Sequence, residues 1–123
     1  MLSSVTVSIV IPSYNSAATI EGVVSAILKQ SAIGSVREIL VVDSSQDEYT
    51  RRVLATIRSE LVTVISLDEQ VMPAVARNIG ARRATGGLIV FIDSDVFPEH
   101  GWLESIIRAT GDGCRAGTGS LCL

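Results

Sequence analysis

Two carboxylates, Asp93 and Asp95, stand on either side of Ser94 directly after an apolar run over residues 88–92. A run of this kind reads as a strand buried on both faces. Residues two apart in an extended segment point the same way, so the two acids are expected to face one site at the strand's carboxyl end. Like charges held beside a core need a cation, and a hard divalent ion with partly hydrated oxygen ligands meets that need. Magnesium-type sites take one or two protein carboxylates and complete their shell from water and substrate phosphate, so the pattern points to a phosphorylated ligand. The plain alternative is a capped turn, because Asp and Ser favour loops and helix starts. Other polar residues fall at comparable places. Asp43 follows a strand-like segment over 37–42, REILVV, and Pro12, Ser13 and Tyr14 follow another over 5–11, VTVSIVI. Arg77 lies near the start of a helical segment opened by Pro73, where its charge opposes the helix dipole and a phosphate partner gains appeal.

The elements that must position these residues alternate. A strand over 5–11 ends at Pro12, which lacks a ladder donor. Asn15 or Ser16 is expected to cap a helix whose apolar residues Ile20, Val23, Val24, Ile27 and Leu28 fall on one face. The second strand ends on Asp43, and SSQDEYT is turn chemistry leading into a helix with Val53, Leu54 and Ile57 inward. A third strand over 62–66 is followed by a loop over 67–72 and a helix over 73–84, which Thr85, Gly86 and Gly87 stop. The fourth strand is the run before Asp93, and a short helix over 101–109 carries Trp102, Leu103, Ile106 and Ile107. Strands alternating with helices at this spacing imply right-handed crossovers and a parallel sheet, with ligands at the carboxyl ends. Pro12, Asp43, Asp93 and Asp95 all fall there, and their convergence on one rim is more specific than any one of them.

At 123 residues and 13.0 kDa the chain has room for one domain, and 47% hydrophobic residues supply a core, which excludes disorder for most of it. A formal charge of −3 and a pI near 5.0 argue against nucleic-acid binding, while nucleotides stay open. No apolar run approaches the length of a bilayer span, and no signal-peptide core is present near the amino terminus, so a soluble, cytoplasmic chain is expected. Cys114 and Cys122 form neither a zinc pattern nor a disulfide framework and read as buried reduced thiols.

Three segments together resemble the nucleotide-sugar-binding half of family 2, GT-A-type glycosyltransferases: VSIVIPSYNSAATI, EILVVDSSQDEYT and ARNIGARRATGGLIVFIDSDVFPEHGWLESII. The resemblance covers residues 5 to 109. It implies a Rossmann-like α/β GT-A fold, incomplete here, with a mostly parallel sheet and helices on both faces. It implies sugar transfer from a nucleotide-diphosphate sugar to an unknown acceptor, metal-assisted and inverting. Pro12, Ser13 and Tyr14 would line the nucleotide pocket, and Asp43 would accept a hydrogen bond from the base. Arg77 would approach the nucleotide or its phosphates. Asp93 would lie against the ribose or the metal shell, with Ser94 in the same donor site. Asp95 would be the main protein ligand of Mg²⁺ or Mn²⁺ bridging the diphosphate. Ser44 and Ser45 replace an acid and a glycine common in the family, and Val96 follows where some members have another acid. Only 28 residues follow Asp95, whereas the family's acceptor site and general base lie beyond this segment; Glu99, Glu104 and Asp112 do not suit the role. The expectation is therefore an amino-terminal part of a longer enzyme, with residues 1–109 as the nucleotide-sugar domain. Residues 110–123 would be a glycine-rich tail with at most a short strand near 114–116 or 120–123.

Other readings fit less well. A haloacid-dehalogenase-type phosphatase would place its aspartate motif on the opening strand with a lysine downstream, yet three strands precede the one that carries Asp93 and Lys29 is the sole lysine. A dinucleotide module would need a G-x-G-x-x-G turn, which SYNSAAT does not provide. A non-catalytic half-domain remains as the alternative, and its unfinished sheet predicts self-association, with a homodimer as the expected form. Singly, Asp43 reads equally as a cap, Arg82 and Arg83 as a solvated helical face, Trp102 as core, and His100 as a loop residue.

Overall fold

In the first strand Val7, Ile9 and Ile11 on one side and Val10 on the other are all fully buried, so this segment has no solvent face and must lie between two layers. A computed structural model, which describes residues 5 to 111, places it so. Strand β1 (Val7–Ser13) is followed by α1 (Ile20–Leu28), a short 3-10 helix (Ser31–Ser35), β2 (Val36–Asp43), α2 (Glu48–Ala55), β3 (Val62–Ser66), α3 (Pro73–Arg83), β4 (Leu88–Phe91) and α4 (Trp102–Gly111). The four strands form one parallel sheet in the order β3-β2-β1-β4.

That order fixes the layers. From β1 the chain builds outward through β2 and β3, then returns to the far side of β1 for β4. Right-handed crossovers in one direction put α1 and α2 on one face, and the reversal puts α3 on the other. The packing agrees. Val7, Ile9, Ile11, Ile39 and Val41 meet Ile20, Val23, Val24 and Ile27 of α1, Leu54 of α2, and Leu103 and Ile106 of α4. On the opposite face Val10, Leu40 and Val42 meet Ala76 of α3. That layer is thin because α3 presents small residues inward: a Cβ on Gly80 would overlap Val10 Cγ1 and come within 3.2 Å of Val42 Cγ2.

Several local expectations give way to neighbours. β1 runs through Pro12, which pairs in register with Val42. Residues of β1 alternate in direction: the carbonyl of Val10 accepts from Ile92 on the β4 side, and that of Ser13 from Ser44 on the β2 side. Pro12 thus faces the β4 side beyond the last paired residues, Val10 and Phe91, where no ladder donor is needed. Neither Asn15 nor Ser16 caps α1 through its side chain. The helix begins at Ile20, and it is the Ser16 carbonyl that accepts from the N–H groups of Thr19 and Ile20 at 3.0 and 2.9 Å. Asp47 caps α2, accepting from the Thr50 N–H at 3.0 Å, and Pro73 opens α3 as expected. α3 ends on an extended Ala84, with no left-handed glycine. Gly86 is required for a different reason: a Cβ there would lie 2.7 Å from the Ser8 backbone nitrogen and 2.9 Å from the Val7 carbonyl carbon. β4 is buried on one face through Leu88 and Val90, while Ile89 and Phe91 are half-buried, as suits a strand that among the described residues pairs only with β1. Trp102 is half-buried and packs on the core. The strand expected in the tail, with Cys114 and Cys122, lies outside the described residues. Among the described residues no helix is long and apolar enough to cross a membrane.

The amino ends of β1, β2 and β4 are clipped together by one carboxylate. The buried Ser8 hydroxyl donates to Glu38 Oε2 at 2.6 Å and accepts from the Gly86 N–H at 2.8 Å. Thr85 adds its N–H at 2.6 Å and its hydroxyl at 3.0 Å to the same oxygen. Burial works against the charged form of Glu38, but the donors from Ser8 and Thr85, with Arg37 nearby, hold its pKa below the ordinary 4.5. A lowered folded-state pKa means that the contribution is complete above pH 4.5 and is lost as pH falls through the folded value. Glu38→Gln is expected to cost about 1 kcal/mol at neutral pH, because the donors then meet a neutral oxygen. Urea denaturation of both proteins across a pH series checks this: the gap should close in acid, and a gap that stays constant there would rule the charged clip out.

Candidate functional site

The strand-order reversal between β1 and β4 leaves a crevice where the chain leaves their carboxyl ends in different directions. A cleft of about 470 Å³ occupies it, within the range of small-ligand sites. Its wall is drawn from the ends of all four strands: Pro12 and Ser13 at the end of β1 with Tyr14 and Asn15 after it, Ser44 after β2, Gln70 and Val71 after β3, and Asp93, Ser94 and Asp95 after β4. α3 opens onto it through Pro73, Ala76 and Arg77, so a helix amino terminus and a guanidinium border the same space as two carboxylates. The cleft therefore brings together every residue expected of the site except Asp43.

Asp43 is 1% exposed and stands behind the wall. Its Oδ1 accepts from the Ser13 hydroxyl at 3.0 Å and the Ser45 hydroxyl at 2.6 Å. Ser13 has one proton, given to Asp43, so the 2.6 Å contact between Ser13 and Ser16 hydroxyls is donated by Ser16. Ser45 in turn accepts from the Asn15 N–H at 2.7 Å, and Asn15 Oδ1 accepts from the Gln46 N–H at 3.1 Å. Asn15 sits at φ 47°, in the left-handed region that Asn tolerates better than most residues, which turns the chain after β1 toward the β2 loop. The β1 and β2 loops are in this way locked to each other through hydroxyls before any ligand is considered. Tyr14, 41% exposed, is left at the cleft surface.

Asp93 and Asp95 do not continue β4. The strand closes at Phe91, Ile92 donates its N–H to the Val10 carbonyl at 3.1 Å, and a turn follows in which the Val96 N–H reaches the Asp93 carbonyl at 3.2 Å. The expected strand alternation therefore does not apply, and both carboxylates are exposed; the turn delivers them to one wall by another route. Arg77 Nη2 donates to Asp93 Oδ1 at 3.2 Å, while among the described residues Asp95 has no ion-pair partner. No group of three His, Cys, Asp or Glu side chains able to enclose a metal occurs among the described residues. Two exposed carboxylates on one turn fit an ion of the magnesium type, which takes one or two from the protein and the rest from water and phosphate, and do not fit a closed zinc site.

A family model described as Glycosyl transferase family 2 matches residues 8–119. The chain belongs to this family. It is 35% identical over 111 residues to glycosyltransferase AglE of Haloferax volcanii, covering 85% of this chain and 36% of that protein. The mannosyltransferase PcManGT of Pyrobaculum calidifontis, solved in complex with GDP-Man and Mn²⁺, superimposes with a TM-score of 0.73 at 30% identity, over 85% of this chain and 32% of the other. S. aureus TarS 1–349, solved in complex with UDP-GlcNAc, gives a TM-score of 0.72 at 25% identity, over 87% and 31%. The fold is the GT-A fold, and the family 2 chain spans about a third of the length of these relatives.

Asn15, Ser44, Gln70 and Val71 line the family 2 cleft without having been anticipated. Gln70 and Val71 carry no chemical signature, but their place, in the loop after the third strand, is the same rim position that drew attention to Asp43 and Asp93. Ser45 was visible only as a departure from a common glycine, and its structural use depends on β1 and β2 being neighbours. Ser45→Ala removes a donor to a buried carboxylate and the acceptor of the Asn15 N–H, so a loss of about 1–3 kcal/mol in stability is expected by urea denaturation. A change below about 0.5 kcal/mol, the scatter of ordinary surface substitutions, would show that the loops are held by something else.

Proposed function

We propose that this chain is the donor-binding part of a glycosyltransferase that moves a sugar from a nucleotide-diphosphate sugar to an acceptor, assisted by Mg²⁺ or Mn²⁺. The observation that carries the reading is the meeting of the turn at residues 93–95, Arg77 and the end of β1 on one cleft at the switch point of the sheet. It is supported by family membership and by relatives solved with GDP-Man and Mn²⁺ or with UDP-GlcNAc.

In this reading Pro12, Ser13 and Tyr14 form the nucleoside side of the cleft. Asp43, behind the wall, holds that side in shape through Ser13 and Ser45. Arg77 and the amino terminus of α3 face the diphosphate, where the positive end of the helix dipole favours an anion. Asp95 is the principal metal ligand, with Asp93 completing the protein's share and Ser94 on the nucleotide-sugar side of the same turn. A bound divalent ion would supply positive charge for the departing nucleoside diphosphate. Neither Glu99 nor Glu104 lines the cleft, and Asp112 lies outside the described residues, so no general base is assigned. Inversion at the anomeric carbon rests on the family resemblance.

Calorimetric titration with UDP, GDP and dTDP, each with Mn²⁺ and with chelator, tests the reading. One nucleotide is expected to bind with metal and to weaken at least about tenfold both with chelator and in Asp95→Ala, the scale of a lost charge-assisted contact. Affinity indifferent to metal and to Asp95 would overturn the metal assignment; failure of all three nucleotides would overturn the donor site.

A second reading, self-association of the chain, is favoured by β4, whose outer edge is unpaired among the described residues. Sedimentation across the micromolar range is expected to show a dimer, and a monomer mass throughout would dismiss it.

A further inference from the structure

The turn after β4 carries two carboxylates in unequal circumstances. Asp93 already has a cation, Arg77, at 3.2 Å through a single Nη2–Oδ1 contact, with the two side chains 38% and 56% exposed. Asp95 has no ion-pair partner among the described residues. Arg77 is delivered by α3, which lies so close to the sheet at Ala76 and Gly80 that the helix has little freedom to withdraw. A guanidinium has five donors in a rigid fork and here gives one to Asp93. The rest of it borders the same cleft as Asp95.

Resting on the donor-site reading above, we infer that Arg77 is a positioning residue that occupies the place of the metal on Asp93, and so couples metal binding to nucleotide binding. In the free protein Arg77 and a divalent cation compete for Asp93, so the cation alone binds through Asp95 against a resident counter-ion. When nucleotide and cation arrive together, the cation takes Asp93 and the released guanidinium meets the diphosphate. Competition in one state and support in the other are a coupling between two ligands, and removal of Arg77 changes the two affinities in opposite directions. A residue that only binds phosphate would leave the affinity for metal alone unaltered; a residue that only stabilises the turn would weaken both when lost.

The test is Mn²⁺ binding to the 123-residue chain, followed by electron paramagnetic resonance of the free ion, without nucleotide and then with the nucleotide that binds. Arg77→Gln is expected to bind Mn²⁺ alone about 2- to 5-fold more tightly, the scale of one partly exposed ion pair, and the increase should shrink with added salt. The same variant is expected to bind nucleotide with saturating Mn²⁺ about tenfold or more weakly. Arg77→Lys, which keeps the charge, should return Mn²⁺ affinity toward wild type. In an Asp93→Asn background Arg77→Gln should leave Mn²⁺ affinity unmoved. Unaltered or weaker Mn²⁺ binding by Arg77→Gln would overturn the inference while leaving the donor site standing. A wild-type chain that takes up no Mn²⁺ with or without nucleotide would overturn the metal assignment and this inference with it.

Discussion

The reversal of strand order around β1 is the constraint on which the rest depends. A parallel strand must be followed by a crossover, and crossovers are right-handed, so two steps outward and one step back place helices on both faces and open a gap at a single point of the sheet. β1 pays for its central position by having no polar face: its residues are buried throughout Val7–Ser13. The polar residues of β1 that line the cleft consequently stand at the end of the strand, where Ser13, Tyr14 and Asn15 leave the sheet. The cleft is a product of topology before it is a product of any side chain.

Four acidic residues at the ends of strands are treated in four ways, and burial decides among them. Glu38, at the amino end, is satisfied by Ser8 and Thr85 and ties three segments together, remote from the cleft. Asp43 is buried at the carboxyl end and spends one oxygen on two serines, which gives the β1 and β2 loops a fixed relation. Asp93 is exposed and paired, and Asp95 is exposed without an ion-pair partner among the described residues. A buried carboxylate without donors would be costly, so Asp43 must be structural whatever else it does, and the half-buried Glu38 is tied down by three donors. The outer two are free to be used by a ligand.

The strands were legible as β-branched, apolar segments closed by polar residues, α1 and α2 by apolar residues three and four apart, and α3 by the Pro73 that opens it, signals that survive without knowledge of neighbours. What depended on neighbours was not. Pro12 reads as a strand end, yet β1 continues through it because the partner on that side has already stopped. Gly86 reads as a helix stop, yet its missing Cβ serves the approach to Ser8 and Val7, residues far away in the chain. Asn15 and Ser16 read as caps, whereas one turns the chain at positive φ and the other feeds a hydroxyl chain toward Asp43. The cleft was legible as a set of strand ends, because parallel α/β sheets open their crevices there. The loop residues Gln70 and Val71 were not, since nothing in their types distinguishes them.

The placement of Asp93 and Asp95 in a turn alters the electrostatic reasoning about the metal. Two carboxylates at the end of a buried strand would demand a cation to exist at all. Two exposed carboxylates, one of them beside Arg77, do not: in high dielectric their mutual repulsion is on the order of 1 kcal/mol, and salt weakens it further. The free protein can therefore hold the turn with a side chain alone. In the proposed donor complex the demand for a divalent ion would arise with the ligand, since a diphosphate brought against Asp93 and Asp95 would add negative charge that a single guanidinium cannot balance. On this view the cation belongs to the complex of cleft and diphosphate more than to the fold, which is why so few protein ligands suffice for it.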